Sequence, residues 1–148
     1  MAWASAVRLE LQGIVSSVRL DTGSVRSVMG EDFVKTLGVT VAELQPEEIG
    51  LLQCVAKSPL KILGKCEISL KKDSKEISHV FLVVKDLTFT CALGIDFLSK
   101  FNVQINYSTG EVRIDGLEEV SLLPSSDFSN TENLILSVFD ASSDEVLD

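Results

Sequence analysis

An apolar segment that ends in an acidic turn is the feature that most constrains this chain. Residues 14–20 read Ile-Val-Ser-Ser-Val-Arg-Leu and indicate a strand, and Asp21, Thr22, Gly23 and Ser24 come directly after it. A buried carboxylate costs free energy unless donors surround it, and the glycine lets the backbone turn sharply and bring amides close to the acid. The pattern therefore predicts a strand that presents Asp21 as a general acid or base. The same residue types also occur in ordinary turns, so this stretch alone leaves both interpretations open.

Two further stretches accompany this turn in an order that is typical of one enzyme family. Residues 18–29 resemble the active-site loop of aspartic proteases, and residues 92–101, Ala-Leu-Gly-Ile-Asp-Phe-Leu-Ser-Lys-Phe, resemble the second signature of the retroviral type. Residues 102–112 resemble the hairpin that comes after this signature in gypsy-type retrotransposon proteases. The resemblance covers roughly residues 6–115. It implies a mainly β chain with one or two short helices, folded as the closed barrel of retropepsin-like proteases with one lobe per chain.

The function that the resemblance implies is that of an aspartic endopeptidase. Asp21 is then the catalytic residue, and Thr22, Gly23 and Ser24 complete the active-site loop. Aspartic proteolysis needs two carboxylates in one site, one protonated and one ionised to activate a water. The chain has one Asp-Thr-Gly and is too short for the two-lobed pepsin type, so we expect a homodimer with one Asp21 from each subunit. Thr22 would hydrogen-bond across the dimer, and the substrate would be a peptide or a polyprotein.

Three polar residues outside the catalytic position carry further hypotheses. The Ser24 hydroxyl is predicted to donate a hydrogen bond to a catalytic carboxylate and to favour its ionised form. Asp96 lies between Ile95 and Phe97 without a Thr-Gly turn, so we expect it to begin a helix, with its carboxylate near the first-turn amides, and not to act as a second catalytic acid. His79, the single histidine, lies in a strand-like run and is predicted to be a surface or edge-strand residue.

Residues 49–63 are predicted to form the flap, the hairpin that closes over substrate in retroviral-type proteases. The residues at its tip, which would contact the substrate, are Val55, Ala56, Lys57 and Ser58. Flap tips of the family are usually rich in glycine, and this one has none; in addition, Arg19 stands where the family usually has an apolar residue. These departures keep a second function open, a catalytically weak or inactive retropepsin-like module for dimerisation or binding. A third interpretation is an unrelated β-barrel with a chance Asp-Thr-Gly.

The charge is concentrated at one end of the chain. The formal net charge is −9, and residues 117–148 contain eight acidic residues and no Lys or Arg, which leaves −1 for residues 1–116. We therefore predict a protease domain over 1–116, able to fold without the rest, and an acidic, Ser-rich tail or linker over 117–148. The apolar patch at 134–139 within this tail would be a docking segment, an added strand or a cleavage-site-like linker. The domain lacks the basic patch expected of a nucleic-acid-binding protein.

Cysteine usage and hydropathy indicate the compartment. No apolar run is long enough to span a bilayer, and none resembles a secretory signal, so no membrane association is expected. Cys54, Cys66 and Cys91 are odd in number and lack CxxC spacing, which predicts reduced core thiols and neither a disulfide nor a zinc site. The sequence therefore predicts an intracellular, cytoplasmic protein that uses no metal and no cofactor.

Overall fold

The structure, a computed structural model, describes residues 2–48 and 61–127. Its strands are β1 (Trp3–Leu11), β2 (Ile14–Leu20), β3 (Val28–Gly30), β4 (Ile62–Lys72), β5 (Lys75–Val84), β6 (Cys91–Leu93), β7 (Gln104–Asn106), β8 (Glu111–Arg113) and β9 (Val120–Pro124). The helices with both ends in the described residues are α1 (Glu31–Leu37) and α2 (Ile95–Lys100), and a 3-10 turn covers Ser125–Asp127. The predicted class, mainly β with short helices, is confirmed.

Six of these strands close into a barrel. Their order is β2-β6-β3-β5-β4-β1, and β1 pairs back onto β2. Strand β1 can pair with three neighbours because it has two edges. One edge pairs with β2 along Ala6–Leu11, and the other pairs with β4 at Glu10–Leu11 and with β9 at Trp3 and Val7. Strands β9, β8 and β7 continue the sheet outward from β1. Because a closed ring leaves no unpaired strand edge inside it, the fold buries its backbone hydrogen bonds and its core together.

The first hairpin positions the acidic turn. Gln12 and Gly13 both have positive φ angles, 51° and 84°, which suit the two-residue turns that match the twist of the flanking strands. The register then pairs Leu11 with Ile14 and continues to Ala6 with Arg19. Strand β2 therefore enters the barrel in a fixed register and ends immediately before the acidic turn, as the sequence predicted.

The long β4–β5 hairpin forms much of the barrel wall. Its ladder runs from Ile62 paired with Val84 to Lys72 paired with Lys75, and its inward side chains Ile68, Leu70 and Phe81 are fully buried. Burying one such side chain contributes roughly 1.5–3 kcal/mol. The lysine-rich tip of this hairpin is exposed or half-buried, as a solvated hairpin tip is predicted to be.

Two cysteines lie in the core. Cys66 and Cys91 are buried and have free thiols. Burial raises the pKa of the Cys66 thiol to about 11 and that of the Cys91 thiol to about 12, because the charged thiolate loses its hydration. These two residues therefore have the location that the sequence predicted, and Cys54 lies outside the described residues.

Strand β9 extends the folded domain beyond the boundary that the sequence predicted at residue 116. Its Val120, Leu122 and Leu123 side chains are 2%, 2% and 6% exposed, and its backbone pairs with both β1 and β8. The sequence analysis placed this strand in the acidic tail because Glu118 and Glu119, which are exposed, precede it. The apolar patch at 134–139 lies outside the described residues. Within the described part, no helix is long and apolar enough to cross a membrane.

We expect a protein that ends after Gly116 to lose its cooperative fold. It lacks three buried side chains, each contributing roughly 1.5–3 kcal/mol, and that sum is comparable to the 5–15 kcal/mol of a typical domain. A protein that ends after Asp127 keeps β9 and serves as the matched control. Thermal melting measured by circular dichroism compares the two. Cooperative melting of both proteins at the same temperature would show that β9 is dispensable.

Candidate active site

The acidic turn lies where two strands from distant parts of the chain run side by side. Strand β2 pairs in parallel with β6, with Arg19 opposite Ala92 and Leu20 opposite Leu93. The ladder continues one residue further, since the Asp21 amide donates to the Leu93 carbonyl at 2.9 Å. The two sequence motifs that suggested a protease are therefore in direct contact, and the backbone of Asp21 is fixed by the second motif.

The turn itself orients the Asp21 carboxylate. The Gly23 amide donates to Asp21 Oδ1 at 3.0 Å, and the Ser24 amide donates to the Asp21 carbonyl at 3.2 Å. Asp21 is half-buried and Thr22 is exposed. A carboxylate held by a backbone amide but still accessible can exchange a proton with a bound molecule, which a general acid or base requires.

Helix α2 packs against the loop after the turn, and it does so through a glycine. A Cβ atom on Gly94 would lie 2.6 Å from the Ser24 carbonyl oxygen and 2.7 Å from that of Arg26. Without a side chain at this place, the Ile95 amide donates to the Ser24 carbonyl at 2.8 Å and the Asp96 amide donates to the Val25 carbonyl at 3.2 Å. The Leu-Gly dipeptide of the second motif thus has a physical function, which is to allow this close approach.

The Asp96 carboxylate connects the helix, the loop and the barrel wall. Its Oδ1 accepts from Ser27 Oγ at 2.8 Å and from the Phe97 amide at 2.8 Å. Its Oδ2 lies 3.1 Å from His79 Nε2 and 3.4 Å from Arg26 Nε. Asp96 therefore begins the helix and accepts from a first-turn amide, as predicted. Its carboxylate also contacts the side chains of Ser27, His79 and Arg26, which the sequence analysis did not predict.

These contacts keep Asp96 ionised at low pH. Burial by itself raises the pKa of this carboxyl, but the hydrogen bonds from His79 and Ser27 favour the charged form and outweigh burial. The resulting pKa is about 2, compared with an ordinary value of 3.8. The group is therefore a fixed negative charge beside the active-site loop under all but strongly acidic conditions.

His79 is buried, and the prediction of a surface or edge-strand histidine is wrong. It is 7% exposed and lies on β5, which has strand neighbours on both sides. Its ring packs edge-on against Phe97, Phe81 and Phe101, with centroid distances of 5.1, 5.6 and 6.1 Å. The alternation along β5 could have predicted the burial of His79, because Ile77, His79 and Phe81 lie on one face of the strand.

Comparison with solved structures decides the fold. The retroviral protease-like domain of Ddi1 from Leishmania major superposes with a TM-score of 0.69 at 19% identity, over 86% of this chain and 100% of that chain. EIAV protease in complex with the inhibitor HBY-793 gives a TM-score of 0.48 at 18% identity, over 68% and 90% of the two chains. A retropepsin-like aspartic protease from Rickettsia conorii gives a TM-score of 0.41 at 13% identity, over 82% of this chain and 87% of that chain. Searches of family models and of curated proteins find no match.

The chain has a retropepsin-like fold. The predicted fold class is therefore confirmed, including the closed barrel. The interpretation as a β-barrel of another fold is excluded, because the chain superposes over the full length of the Ddi1 domain.

Ser24 has a different partner in the retropepsin-like fold from the one predicted. Its hydroxyl is 1% exposed and donates to the Arg26 carbonyl at 2.8 Å. A hydroxyl has a single proton to donate, so the predicted hydrogen bond from Ser24 to a catalytic carboxylate is wrong. The side chain stabilises the loop after the turn and acts on Asp21 only through the backbone.

Arg19, the residue that departs from the usual apolar pattern, lies against an aromatic ring. Its guanidinium carbon is 5.2 Å from the centroid of the Phe89 ring, a cation–π arrangement. Alternation along β2 places its side chain on the same strand face as Asp21, opposite to the buried Val18 and Leu20. The cation therefore lies outside the main core of the barrel, which keeps its apolar lining.

The predicted flap tip, Val55, Ala56, Lys57 and Ser58, lies outside the described residues. The chain that leads to it is anchored on β4. Glu48 Oε1 accepts from the Gln45 amide at 2.9 Å and from Lys65 Nζ at 3.0 Å, and both bonds lower the pKa of the Glu48 carboxyl. Lys65 also forms a β-bridge with Ala42. Glu48 is thus held on the barrel wall by these contacts.

No group of three or more His, Cys, Asp or Glu side chains in residues 2–48 and 61–127 is arranged to hold a metal ion.

We expect Ser24→Ala to destabilise the domain. The change removes the donor to the Arg26 carbonyl, a neutral hydrogen bond worth about 0.5–1.5 kcal/mol. Urea unfolding measures the loss. Ser126→Ala, which removes an exposed hydroxyl, is the matched control and should unfold like the wild type. Equal stability of the two variants would show that the Ser24 hydroxyl is not needed for the loop.

We expect the stability that Asp96 contributes to depend on pH in one direction. Its folded-state pKa is about 2 and its ordinary value is 3.8, so the contribution is fully present above pH 3.8 and is lost as pH falls toward about 2. Asp96→Asn should thus be less stable than wild type by about 1–2 kcal/mol near neutral pH, after a discount for partial solvation. The difference should shrink below pH 3.8. Urea unfolding of both proteins across this pH range tests the prediction. A difference in the free energy of unfolding that stays constant with pH would contradict the low pKa of Asp96.

Proposed function

We propose that this protein is an aspartic endopeptidase of the retroviral type, active as a homodimer. One observation carries the proposal: in a chain with a retropepsin-like fold, Asp21 directly follows β2 and accepts a hydrogen bond from the Gly23 amide on Oδ1 at 3.0 Å. This geometry orients the carboxylate, and the group is only half-buried, so a bound molecule can reach it. It is the arrangement from which an acid–base carboxylate can act.

The reaction needs a second carboxylate, and a second copy of the chain supplies it. Two like charges that share a site cannot both ionise, so one Asp21 holds a proton and the other is a base. The base takes a proton from a water molecule, which attacks the peptide carbonyl, and the acid donates its proton toward the leaving group. Each chain contributes one half of this pair, so a two-fold dimer completes the site.

The active-site loop is suited to such a dimer. Thr22 is exposed at the tip of the turn, where its hydroxyl can hydrogen-bond to the partner loop. Gly23 has no side chain to keep the two loops apart. The substrate is a peptide or polyprotein segment bound between the paired loops and the flap residues Val55, Ala56, Lys57 and Ser58. Within this proposal, the chain derives from a gypsy-type retrotransposon protease and acts in the cytoplasm.

A second candidate is a dimerisation or binding module without strong catalysis. Two features favour it: Arg19 stands at a usually apolar position, and the flap tip lacks glycine, which limits its backbone conformations. Arg19 packs over Phe89 and the Gly23 amide orients the Asp21 carboxylate, so we place proteolysis first. The two candidates differ in one measurement, the cleavage of a peptide.

We expect pepstatin-sensitive peptide cleavage at mildly acidic pH that disappears in Asp21→Asn. The substitution is nearly isosteric, so the variant should still fold and dimerise, but the amide can neither activate water nor donate a carboxyl proton. Specific activity should rise with protein concentration, because only the dimer contains both carboxyls. Peptide assays combined with sedimentation measurements test both statements.

Asp115→Asn is the matched control, since it makes the same change at an exposed side chain and should keep full activity. Cleavage by Asp21→Asn at the wild-type rate would refute the assignment of Asp21. Full activity from a demonstrated monomer would refute the shared site. A folded, dimeric wild type that cleaves no peptide would favour the binding module.

A further inference from the structure

We propose that the His79–Asp96 pair positions the catalytic loop of this protein. The inference rests on the proposed function, because it gives the pair a part in the reaction of Asp21. Both residues act through others: Asp96 holds the segment Val25–Ser27, and His79 fixes Asp96. They are positioning residues, since neither is placed to contact a substrate.

Both oxygens of the Asp96 carboxylate have partners. Ser27 Oγ and the Phe97 amide donate to Oδ1, His79 Nε2 lies 3.1 Å from Oδ2, and Arg26 Nε forms an ion pair with Oδ2 at 3.4 Å. An ionised carboxylate only accepts, so His79 donates from Nε2. Because the donors come from the loop, the helix and β5, the carboxylate restrains these three parts of the structure relative to one another.

The restraint reaches Asp21 through a short series of hydrogen bonds. Ser27 Oγ, which donates to Asp96, accepts the Gly94 amide at 3.0 Å. The Ile95 amide next to it donates to the Ser24 carbonyl at 2.8 Å. The Ser24 amide in turn donates to the Asp21 carbonyl at 3.2 Å. A displacement of Asp96 would therefore reach the backbone of the catalytic turn.

Of the two side chains at Asp96 Oδ2, His79 is more deeply buried than Arg26. Its side chain is 7% exposed and is surrounded by Phe81 of its own strand and by Phe97 and Phe101 of the helical segment. The Arg26 side chain, at 26% exposure, is more accessible to water. The aromatic rings thus fix the position of the imidazole by packing, and the imidazole fixes Asp96 Oδ2 by a hydrogen bond.

Such a restraint affects turnover more than substrate binding. A catalytic group has to be held within roughly 0.5 Å of its productive position, and small misplacements lower the rate of the chemical step. Substrate affinity depends on the whole cleft and is less sensitive to one loop. Loss of the His79 hydrogen bond should therefore lower kcat and leave KM nearly unchanged.

The test compares three variants of the full chain. His79→Phe fills the aromatic enclosure but removes the donor, and His79→Gln restores an amide donor at a similar reach. Ser78→Ala changes the adjacent exposed residue of the same strand and is the matched control. Two measurements are made on each: peptide cleavage kinetics, and hydrogen–deuterium exchange of the amides in residues 21–27.

A hydrogen bond to a charged group is worth about a factor of ten or more in an equilibrium. We expect His79→Phe to accelerate exchange in residues 21–27 by about this factor, with exchange in β4 and β5 nearly unchanged, and to lower kcat at constant KM. His79→Gln should recover most of both effects, and Ser78→Ala should match the wild type.

Unchanged exchange in His79→Phe would overturn the inference, and so would faster exchange throughout the protein or a failure of His79→Gln to recover. The exchange measurement needs no activity. If the wild type cleaves no peptide, the proposed function fails while the positioning of the loop by His79 and Asp96 is still decided.

Discussion

The parallel pairing of β2 with β6 is the constraint on which the rest of the structure depends. It sets Leu20 beside Leu93, and the chain leaves both strands in the same direction, one into the acidic turn and the other into helix α2. Two segments that leave a sheet side by side must pack on each other, and here a glycine makes the packing possible. With any side chain at Gly94, the helix would be pushed away from the Ser24 and Arg26 carbonyls, and the hydrogen bonds between the loop and the helix amides would be lost.

The closed barrel keeps this pairing in place. Strand β1 binds β2 along its length, β4 at its end and β9 near its start, so β2 cannot shift without disturbing three other strands. A one-residue slip would also turn the buried faces of these strands outward. The position of Asp21 is thus determined by core packing, and the local turn chemistry only orients its carboxylate.

The elements that depend on local patterns could mostly be predicted from the sequence. The β1–β2 hairpin, helix α1 ending at Gly38 in the left-handed region, and the β4–β5 hairpin all formed where alternation, helical spacing and turn residues indicated. The two motifs predicted the retropepsin-like fold, because each has a recognisable order of residue types. The position of Asp21 directly after β2 could also be predicted from this order of residue types.

The predictions that failed concern tertiary partners. Ser24 has several acceptors within reach of a turn, and only the folded loop selects the Arg26 carbonyl. His79 is polar, so composition favoured the surface, but the rings of Phe97 and Phe101 approach it from a separate helical segment. Strand β9 was assigned to the acidic tail because acidic residues dominate the local charge, whereas its alternate residues bury against β1. For His79 and for β9, the deciding neighbour is distant in sequence.

If Asp21 is catalytic, as proposed, Asp21 and Asp96 show how environment gives one residue type two different tasks. A carboxylate that supports an acid-dependent site has to stay charged while a catalytic carboxyl in the same protein holds a proton. Asp96 meets this requirement through hydrogen bonds from His79 and Ser27, which keep its pKa at about 2 despite burial. Asp21 accepts a hydrogen bond from the Gly23 amide on Oδ1 and is half-buried, so its carboxyl group is within reach of a bound molecule. Within the proposed function, the loop is then held by a charge that persists under the acidic conditions in which a shared-proton pair works.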